Sequence, residues 1–436
     1  MNIHFIGIGG VSMSALAKYL HSQKFNVTGS DKVQTNITNE LNNIGIKVFI
    51  GHSPSNLQNA EVVIFNSAIT NDNIELKIAK ERGICLIDRA TLINYISKPF
   101  NTKIGVCGCH GKTTVTSIIA HILKAQNLKF MAHIGGFDND FGNFIYTGKD
   151  IFLSEICEFN KNIDKFTPHI GVCLNIDNDH MNCYNDFNDL VKTYYNYLDR
   201  ADLRIINIED KFLSGYKNSA VTYGIDKGDF HIQNLRNENG SQIFDVIGYG
   251  KKMFELSTFF KGEYSILNIL SAISTAQNLG ILSQCILEGI NSFTGVKRRN
   301  ELIGTLNGAK VICDYCHHPT EISAFLNEYR ADCKNVYIVF QPHTYSRTKI
   351  LFKEFSSIFD GFENLYFFKT YAARENFDYL GSSLRLSLNY KNSLYFDQIT
   401  ALIDHLKSKV DSKSKILVLG AGDLYDGFKN YLNNNI

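Results

Sequence analysis

The sequence has almost no excess of charge of either sign, because its 436 residues include 44 lysines and arginines against 43 aspartates and glutamates. A protein that attracts nucleic acid or an anionic membrane through its overall field needs a clear positive excess. We therefore expect no nucleic-acid partner, and any anion must be bound by a local cluster of basic groups.

Long hydrophobic runs are also absent. No apolar stretch approaches the roughly 18 residues of a membrane span, and the strand-like start from Met1 to Gly10 lacks the basic segment of a secretory signal. Repeats, coiled-coil heptads and low-complexity segments are not evident either. We expect no membrane insertion and a cytoplasmic protein.

The ten cysteines lack the spacing of a disulfide framework, so we expect reduced thiols. Cys313, Cys316 and His317 match the C-x-x-C-H pattern of c-type haem attachment, but that attachment takes place outside the cytosol. A zinc site would need this group and a second one at residues 107–110 to converge. The favoured interpretation is small side chains that fill tight positions.

One stretch, KIGVCGCHGKTTVTS from Lys103 to Ser117, carries the strongest chemical signal. An apolar run stops at Gly108 and helical spacing begins after Lys112, which predicts a strand, a glycine turn and a helix. Such a turn binds phosphate oxygens, the lysine reaches the β- and γ-phosphates, and the Thr113 hydroxyl can hold Mg²⁺. The pattern G-x-x-G-K-T-T is shorter than the strict G-x-x-x-x-G-K-[ST], whose first glycine would fall on Val106. We predict an ATP site.

The first hundred residues alternate strand and helix patterns. A strand from His4 to Ile8, a turn at glycines 7, 9 and 10, and a helix from Ser12 to Gln23 are followed by Asp31 at the end of the next strand. This is the order of a Rossmann half, with Asp31 where a dinucleotide fold places its ribose acid. The third glycine of G-x-G-x-x-G is missing, so the motif is weak evidence for NAD. We predict a domain over residues 1–98.

The central part, predicted as a domain over residues 99–296, has strand-like runs whose ends are polar. Glu155 follows the run from Ile151 to Leu153, and His180 follows the run from Ile170 to Leu174. Because ligands sit at the carboxyl ends of parallel strands, Glu155 and His180 are placed to hold a metal bound to ATP. The polar tract from Arg236 to Gln242 predicts a hairpin loop.

The last part, predicted as a domain over residues 297–436, alternates strands and helices again. Histidines and arginines crowd beyond its strands. Those singled out, with a neighbouring tyrosine, are Tyr315, His317, His343, Arg347 and Arg374. Such crowding predicts a pocket for a carboxylate.

Ten motifs together connect the chain to a known family. They are GIGGVSMS from Gly7, GSD from Gly29, NSAI from Asn66, GCHGKTT from Gly108, NIDNDHM from Asn175, GVKRR from Gly295, DYCHHPTEI from Asp314, FQPHTYSRT from Phe340, YAARE from Tyr371 and GAGD from Gly420. On these motifs the chain resembles the Mur ligase family over essentially its whole length. The resemblance implies an α/β fold of three domains, with two Rossmann-like domains flanking a central P-loop domain that binds ATP.

The resemblance also implies an activity. It points to an ATP-dependent ligase that joins L-alanine to the lactyl carboxylate of UDP-N-acetylmuramate through an acyl phosphate, in the synthesis of peptidoglycan precursors. ATP and Mg²⁺ would be the cofactors, and UDP-N-acetylmuramate and L-alanine the small-molecule partners. The oligomeric state is left open.

Site residues follow by matching positions to the family motifs. The resemblance assigns ATP binding to Gly108, Cys109, His110, Gly111, Lys112, Thr113, Thr114, Asn268 and Arg299, and substrate binding to Gly9, Gly10, Asp31, Ser67, Tyr315 and Arg374. It assigns catalysis to Lys112, His317, His343 and Arg347, and metal binding to Thr113, Glu155 and His180. Cys157 stands where an acidic residue is frequent in the family and is not assigned to metal.

Several alternatives stay open from the sequence. A related ligase would add a whole peptide to the same sugar nucleotide, or glutamate to a folate-type substrate. A dehydrogenase would use the turn from Gly7 to Asp31 for NAD, and a nucleotide-gated interaction protein would bind ATP without turnover. The proton of the alanine ammonium group could be taken by His317 or His343, or these side chains could act only through charge and hydrogen bonds.

Overall fold

The computed structural model describes residues 1–179 and 181–434. The chain forms two compact units, of which the first is Met1–Thr294 and the second begins at Gly295. The first unit contains two sheets and the second unit contains one.

The first sheet has five parallel strands in the order β3-β2-β1-β4-β5. Its strands are β1 (Asn2–Ile6), β2 (Asn26–Asp31), β3 (Lys47–Ile50), β4 (Val62–Phe65) and β5 (Cys85–Asp88). Its helices are α1 (Val11–Ser22), α2 (Asn36–Asn43), α3 (Ile74–Glu81) and α4 (Arg89–Ser97). The order reverses at β1, so the turn after β1 lies at the topological switch point where ligands bind in such sheets.

The second sheet has ten strands in the order β15-β14-β13-β12-β11-β10-β6-β9-β7-β8. They are β6 (Thr102–Cys107), β7 (Phe130–Asp138), β8 (Gly142–Tyr146), β9 (Ile151–Glu155), β10 (Ile170–Cys173), β11 (Leu203–Asn207), β12 (Val221–Tyr223), β13 (Phe230–Glu238), β14 (Ser241–Gly248) and β15 (Lys251–Thr258). The helices are α5 (Lys112–Ala125), α6 (Phe187–Asp199), α7 (Glu263–Asn278) and α8 (Ser283–Ser292). Because β6 lies between β10 and β9, the polar ends of those two strands flank the turn that follows β6.

The sheet of the second unit has six strands in the order β16-β17-β21-β18-β19-β20. They are β16 (Glu301–Leu306), β17 (Ala309–Asp314), β18 (Val336–Phe340), β19 (Asn364–Phe368), β20 (Leu394–Phe396) and β21 (Lys415–Leu419). The helices are α9 (Pro319–Asn327), α10 (Tyr345–Ile350), α11 (Phe352–Phe355), α12 (Ser383–Ser387), α13 (Ile399–Lys407) and α14 (Leu424–Asn434). Only β16 runs antiparallel to its neighbour among these described strands.

Short 3-10 helices occur at Pro54–Leu57, Phe159–Lys165, Met181–Cys183, Leu213–Gly215, Arg330–Asn335 and Tyr379–Gly381. Among the described residues no helix is long and apolar enough to cross a membrane. None of the ten cysteines, all of which are described, forms a disulfide.

The predicted α/β architecture is confirmed, with a wholly parallel first sheet and two mixed, mostly parallel sheets. Each sheet uses residues from one predicted domain, while the domain ranges 1–98, 99–296 and 297–436 stay predictions. The hairpin predicted at 236–242 exists, but β13 and β14 extend through most of that tract. Its loop is the pair Asn239 and Gly240, because two positive φ angles of 51° and 84° close a hairpin tightly.

Candidate active site

The turn between β6 and α5 depends on two glycines. Gly108 has a φ of 131° and Gly111 a φ of 84°, a region that other residues rarely adopt. A Cβ at Gly108 would also lie 3.1 Å from the backbone nitrogen of Asn175, and one at Gly111 would collide with Asn268 Oδ1. The predicted residue Asn268, on α7, therefore lies directly against the loop.

The residues after β10 hold this loop in shape. Asn175 Oδ1 accepts a hydrogen bond from the His110 N–H at 2.8 Å, and Asn175 Nδ2 donates to the His110 carbonyl at 3.0 Å. His110 Nε2 lies 2.9 Å from Asp177 Oδ2. The Asp177 N–H donates to Cys109 Sγ at 3.2 Å, and burial raises the pKa of the Cys109 thiol well above its ordinary value. The loop is thus preorganised by its neighbouring strand.

Lys112, the first residue of α5, places its ammonium group beside a buried carboxylate. Its Nζ lies 3.2 Å from Glu158 Oε2 and donates to the carbonyls of Cys109, at 3.2 Å, and of Gly108. The Glu158 side chain is only 1% exposed. Burial opposes the charge on Lys112, but Glu158 outweighs it and holds the Lys112 pKa above its ordinary value. The head of α5 therefore carries a permanent positive charge, which suits phosphate oxygens.

Thr113 and Glu155, both predicted to hold a metal, are brought together. Thr113 Oγ1 donates a hydrogen bond to Glu155 Oε2 at 2.8 Å. Glu155 ends β9, and its carboxylate occupies the space that a Cβ would take at Gly135 on β7. A hydroxyl and a carboxylate are oxygen ligands of the kind that Mg²⁺ prefers. The third predicted ligand, His180, lies outside the described residues.

Two residues that support this loop were not singled out from the sequence. Glu158 pairs with the charged Lys112, and Asn175 bridges the loop backbone. Both follow strands whose ends were recognised as polar, and that position was the available signal. Burial and then Glu158 raise the pKa of Cys157 to about 11, so its thiol is neutral at pH 7. Its exclusion from the metal ligands stays a prediction.

The turn after β1 also brings predicted residues together. The Gly9 N–H donates to Asp31 Oδ2 at 2.8 Å, and a Cβ at Gly9 would lie 2.8 Å from the same oxygen. Gly10 caps the start of α1 without a side-chain hydrogen bond. Ser67 is exposed in the turn after β4, a turn that packs against Gly7 through Ile69. All four predicted residues thus lie at one edge of the first sheet.

The second unit brings five predicted residues into one cluster. The Tyr315 and His317 ring centroids are 5.4 Å apart, and those of His317 and His343 are 5.7 Å apart. Arg299 places its guanidinium 5.1 Å from the Tyr315 ring centroid. Arg347 Nη1 lies 3.3 Å from His343 Nδ1, which accepts the hydrogen bond. Aromatic, imidazole and guanidinium groups therefore share one surface, as the sequence predicted.

Arg374 does not join this cluster through a hydrogen bond, an ion pair or a ring contact with the described residues. It is exposed in the turn after β19, and it makes no hydrogen bond or ion pair with the residues that the structure describes. Arg299, in contrast, lies 3.8 Å from Glu321. Burial opposes the charge of Arg299, but Glu321 and then Asp314 hold its pKa above the ordinary value.

Comparison with known proteins agrees with this geometry. Residues 2–101 match the catalytic domain of the Mur ligase family, residues 106–276 match the Mur ligase middle domain, and residues 298–422 match the glutamate ligase domain of Mur ligases. A UDP-N-acetylmuramate--L-alanine ligase of Clostridium acetobutylicum is 38% identical, over 97% of this chain and 95% of its own length.

Solved structures agree as well. The UDP-N-acetylmuramate-alanine ligase of Thermotoga maritima is 25% identical and superposes with a TM-score of 0.86, over 100% of this chain and 99% of its own. A second Thermotoga maritima ligase, MurF, solved in complex with ADP, shares the fold at 14% identity and a TM-score of 0.63, over 94% of this chain and 96% of its own. The resemblance found in the sequence is confirmed, and the chain belongs to the Mur ligase family.

Proposed function

We propose that this chain is an ATP-dependent ligase that joins L-alanine to the lactyl carboxylate of UDP-N-acetylmuramate. The observation that carries the proposal is the phosphate loop with Lys112 and the Thr113 and Glu155 pair, in a chain similar over 97% of its length to a ligase named for that reaction. The loop accounts for the use of ATP, and the similarity accounts for the choice of substrates.

The ATP site consists of the loop at Gly108–Gly111 and the head of α5. Its N–H groups and the Lys112 ammonium bind and neutralise the phosphates, and Asn268 buttresses the loop. Thr113 and Glu155, with His180, would hold Mg²⁺, which supplies charge neutralisation on the phosphate oxygens. Glu158 keeps the lysine charged and in place.

The reaction proceeds in two steps that share this site. An oxygen of the lactyl carboxylate attacks the γ-phosphorus of ATP, the bond to the β-phosphate oxygen breaks, and ADP leaves behind an acyl phosphate. The neutral amine of alanine then attacks the acyl carbon and expels inorganic phosphate. His317 and His343 are both candidates for taking the ammonium proton. Arg347 orients the His343 ring by donating a hydrogen bond to its Nδ1.

The second unit is proposed to bind the amino acid through the cluster of Tyr315, His317, His343 and Arg347, with Arg374 as a partner for the alanine carboxylate. Guanidinium groups pair with carboxylates through parallel hydrogen bonds. Arg374 is suitable because it is exposed and donates to no acceptor among the described residues. A cytoplasmic location is part of the same proposal, since ten thiols outside any disulfide are typical of that compartment.

The purified chain should be incubated with UDP-N-acetylmuramate, ATP, Mg²⁺ and one amine donor at a time. We expect alanine to release ADP and to give a product whose mass is that of the two substrates less one water. Serine, glycine and a short peptide that begins with alanine are tested in separate incubations as alternative donors. Product with the peptide but not with alanine would replace this proposal by the peptide-adding ligase.

A further inference from the structure

Arg89 lies at the edge of the first sheet where the glycine turn lies. It is the first residue of α4, directly after β5, and it is partly buried. Its Nη1 donates a hydrogen bond to Ser12 Oγ at 3.0 Å. Ser12 is the second residue of α1, so the Arg89 guanidinium stands beside the head of that helix.

Arg89 has no acidic partner within residues 1–179 and 181–434. The neighbouring Asp88 is engaged elsewhere, since its Oδ1 lies 2.9 Å from Lys165 Nζ and accepts from the N–H groups of Ala90 and Thr91. The Arg89 N–H groups other than the one on Ser12 have no acceptor among these residues. A partly buried guanidinium without a counter-charge is costly unless an anion completes it.

A buried chain of hydrogen bonds fixes the position of this guanidinium. His133 is fully buried, with Nε2 2.8 Å from Ser12 Oγ and Nδ1 2.9 Å from Ser154 Oγ. Ser154 donates its own proton to the Glu155 carbonyl at 3.0 Å, so it accepts from the His133 Nδ1–H. His133 Nε2 then accepts the Ser12 proton, which leaves the Ser12 oxygen to accept from Arg89.

The electrostatics of His133 fit this order. Burial, followed by the positive charge of Arg89, lowers the pKa of His133 to about 3. The imidazole is therefore neutral at pH 7, with one nitrogen that donates and one that accepts. This chain of hydrogen bonds runs from the head of α1 to the backbone carbonyl of Glu155. The Glu155 side chain is the candidate metal ligand at the end of β9.

We propose that Arg89 binds an acidic group of the sugar nucleotide at the head of α1, and that Ser12, His133 and Ser154 act as positioning residues for it. This inference rests on the proposed function, because it takes the anion to be part of UDP-N-acetylmuramate. Two groups of that molecule have the required chemistry, the diphosphate and the lactyl carboxylate. The guanidinium plane pairs with either through parallel N–H bonds.

Direct binding to the full chain tests the inference without turnover. Isothermal titration is carried out with UDP-N-acetylmuramate and with UDP-N-acetylglucosamine, which keeps the diphosphate and lacks the lactyl carboxylate. We expect Arg89→Gln to lower the affinity for UDP-N-acetylmuramate by about 10- to 100-fold, the loss typical of a removed hydrogen-bonded ion pair. An equal loss for both ligands assigns the diphosphate, and a loss confined to the first assigns the carboxylate. Unchanged affinity for both overturns the inference.

Three further variants keep the test decisive. Arg82→Gln removes the same charge from an exposed position at the end of α3 and should leave both affinities unchanged. Arg89→Lys keeps the charge and loses the planar fork, so a loss of about 3- to 10-fold is expected even if the glutamine variant does not fold. Ser12→Ala should give a smaller loss, with ATP affinity unchanged, because it only loosens Arg89.

The outcome for the wild-type chain separates this inference from the proposed function. If the wild-type chain binds neither sugar nucleotide, the proposed function fails together with the inference. If it binds UDP-N-acetylmuramate and both Arg89 variants bind equally well, only the role of Arg89 is overturned.

Discussion

Two turns of the first unit have the same backbone plan and opposite chemistry. Each leads from a central parallel strand through glycines with positive φ into a helix, with φ of 78° at Gly7 and 84° at Gly111. In the first turn a carboxylate, Asp31, already accepts from the Gly9 N–H. In the second turn an ammonium group, Lys112, stands at the head of the helix. Within the loops themselves, Asp31 therefore gives the first turn an acceptor for hydroxyl groups, whereas Lys112 gives the second turn positive charge for phosphates.

The turns also differ in where their partners come from. Asp31 ends β2, the next strand in the sequence after β1. Glu158 and Asn175 follow β9 and β10, which enclose β6 only because the sheet brings them there. The Asp31 carboxylate thus reaches the first turn from the next strand in the sequence, whereas Glu158 and Asn175 reach the phosphate loop only once three strands are assembled. The four predictions below test this contrast, from the largest expected effect to the smallest.

Replacing the cation of the second turn should have the largest effect. We expect Lys112→Ala to lower alanine-dependent ADP release by about 1,000-fold, because one preorganised charge on the transferred phosphoryl group is lost. Lys124→Ala, at the exposed far end of the same helix, is the matched control and should retain activity within a few-fold. Undiminished turnover in the Lys112 variant would remove the basis of the ATP site.

A methyl group added to the first turn should weaken binding of the sugar nucleotide and leave the binding of ATP unchanged. In Gly9→Ala the new Cβ would lie 2.8 Å from Asp31 Oδ2 and 3.1 Å from Thr38 Cγ2, so the turn must shift. We expect UDP-N-acetylmuramate to bind about 10- to 100-fold more weakly by titration, as for a displaced set of hydrogen bonds. In Gly10→Ala the new Cβ would meet nothing closer than 3.5 Å, so this variant should lose less affinity for UDP-N-acetylmuramate. Equal losses would mean that crowding against Asp31 is not the cause.

Removing the charge of the first turn should have a moderate effect. Asp31→Asn keeps the size of the side chain and weakens its role as an acceptor, so we expect about a 10-fold loss of affinity for UDP-N-acetylmuramate. ATP affinity, measured in the same titrations, should stay constant. Asp72→Asn, in an exposed loop of the same sheet, is the control. A loss of ATP affinity instead would show that the two turns are not chemically separate.

The acid that supports Asp31 should affect stability more than activity. Glu75 is buried and accepts from Ser30, the residue before Asp31, at 2.5 Å and from Asn56 at 2.7 Å. Burial raises the Glu75 pKa, but the His4 imidazole, 3.6 Å away, and hydrogen bonds from Ser30 and Asn56 outweigh it and lower the pKa to about 2. A folded pKa below the unfolded value contributes stability above about pH 4.5, and this stability is lost as the pH falls to about 2.

By this linkage the ionised Glu75 contributes about 3 kcal/mol to the free energy of unfolding at pH 7. We expect Glu75→Gln to lower the urea midpoint at pH 7 and to flatten its dependence on pH between about 4.5 and 2. Hydrogen exchange in residues 1–98 should localise the change. Glu81→Gln, exposed at the end of the same helix, should leave the profile intact. An unaltered profile in the Glu75 variant would contradict this account.

Much of the site was readable from the chain, because strand and helix patterns are local. The alternation of apolar runs and helical spacing predicted the three α/β sheets, and polar residues at strand ends predicted Glu155 and the cluster with His317 and His343. Glu155 ends β9, and the rings of His317 and His343 lie 5.7 Å apart, while the roles of these residues stay predictions. The hairpins β7–β8 and β13–β15 were not predicted in full, because their antiparallel pairing is set by contacts between segments.

The chain by itself determined which chemical groups are present and where the backbone can turn. Glycines at 108 and 111 permit the loop, and a lysine next to them supplies its charge, since such preferences act over a few residues. Only the tertiary structure decided that Glu158 faces Lys112, that Asn175 bridges the loop, and that Arg89 meets Ser12. These pairings follow from the order of strands and the packing of helices across each sheet, which join residues that no local pattern relates.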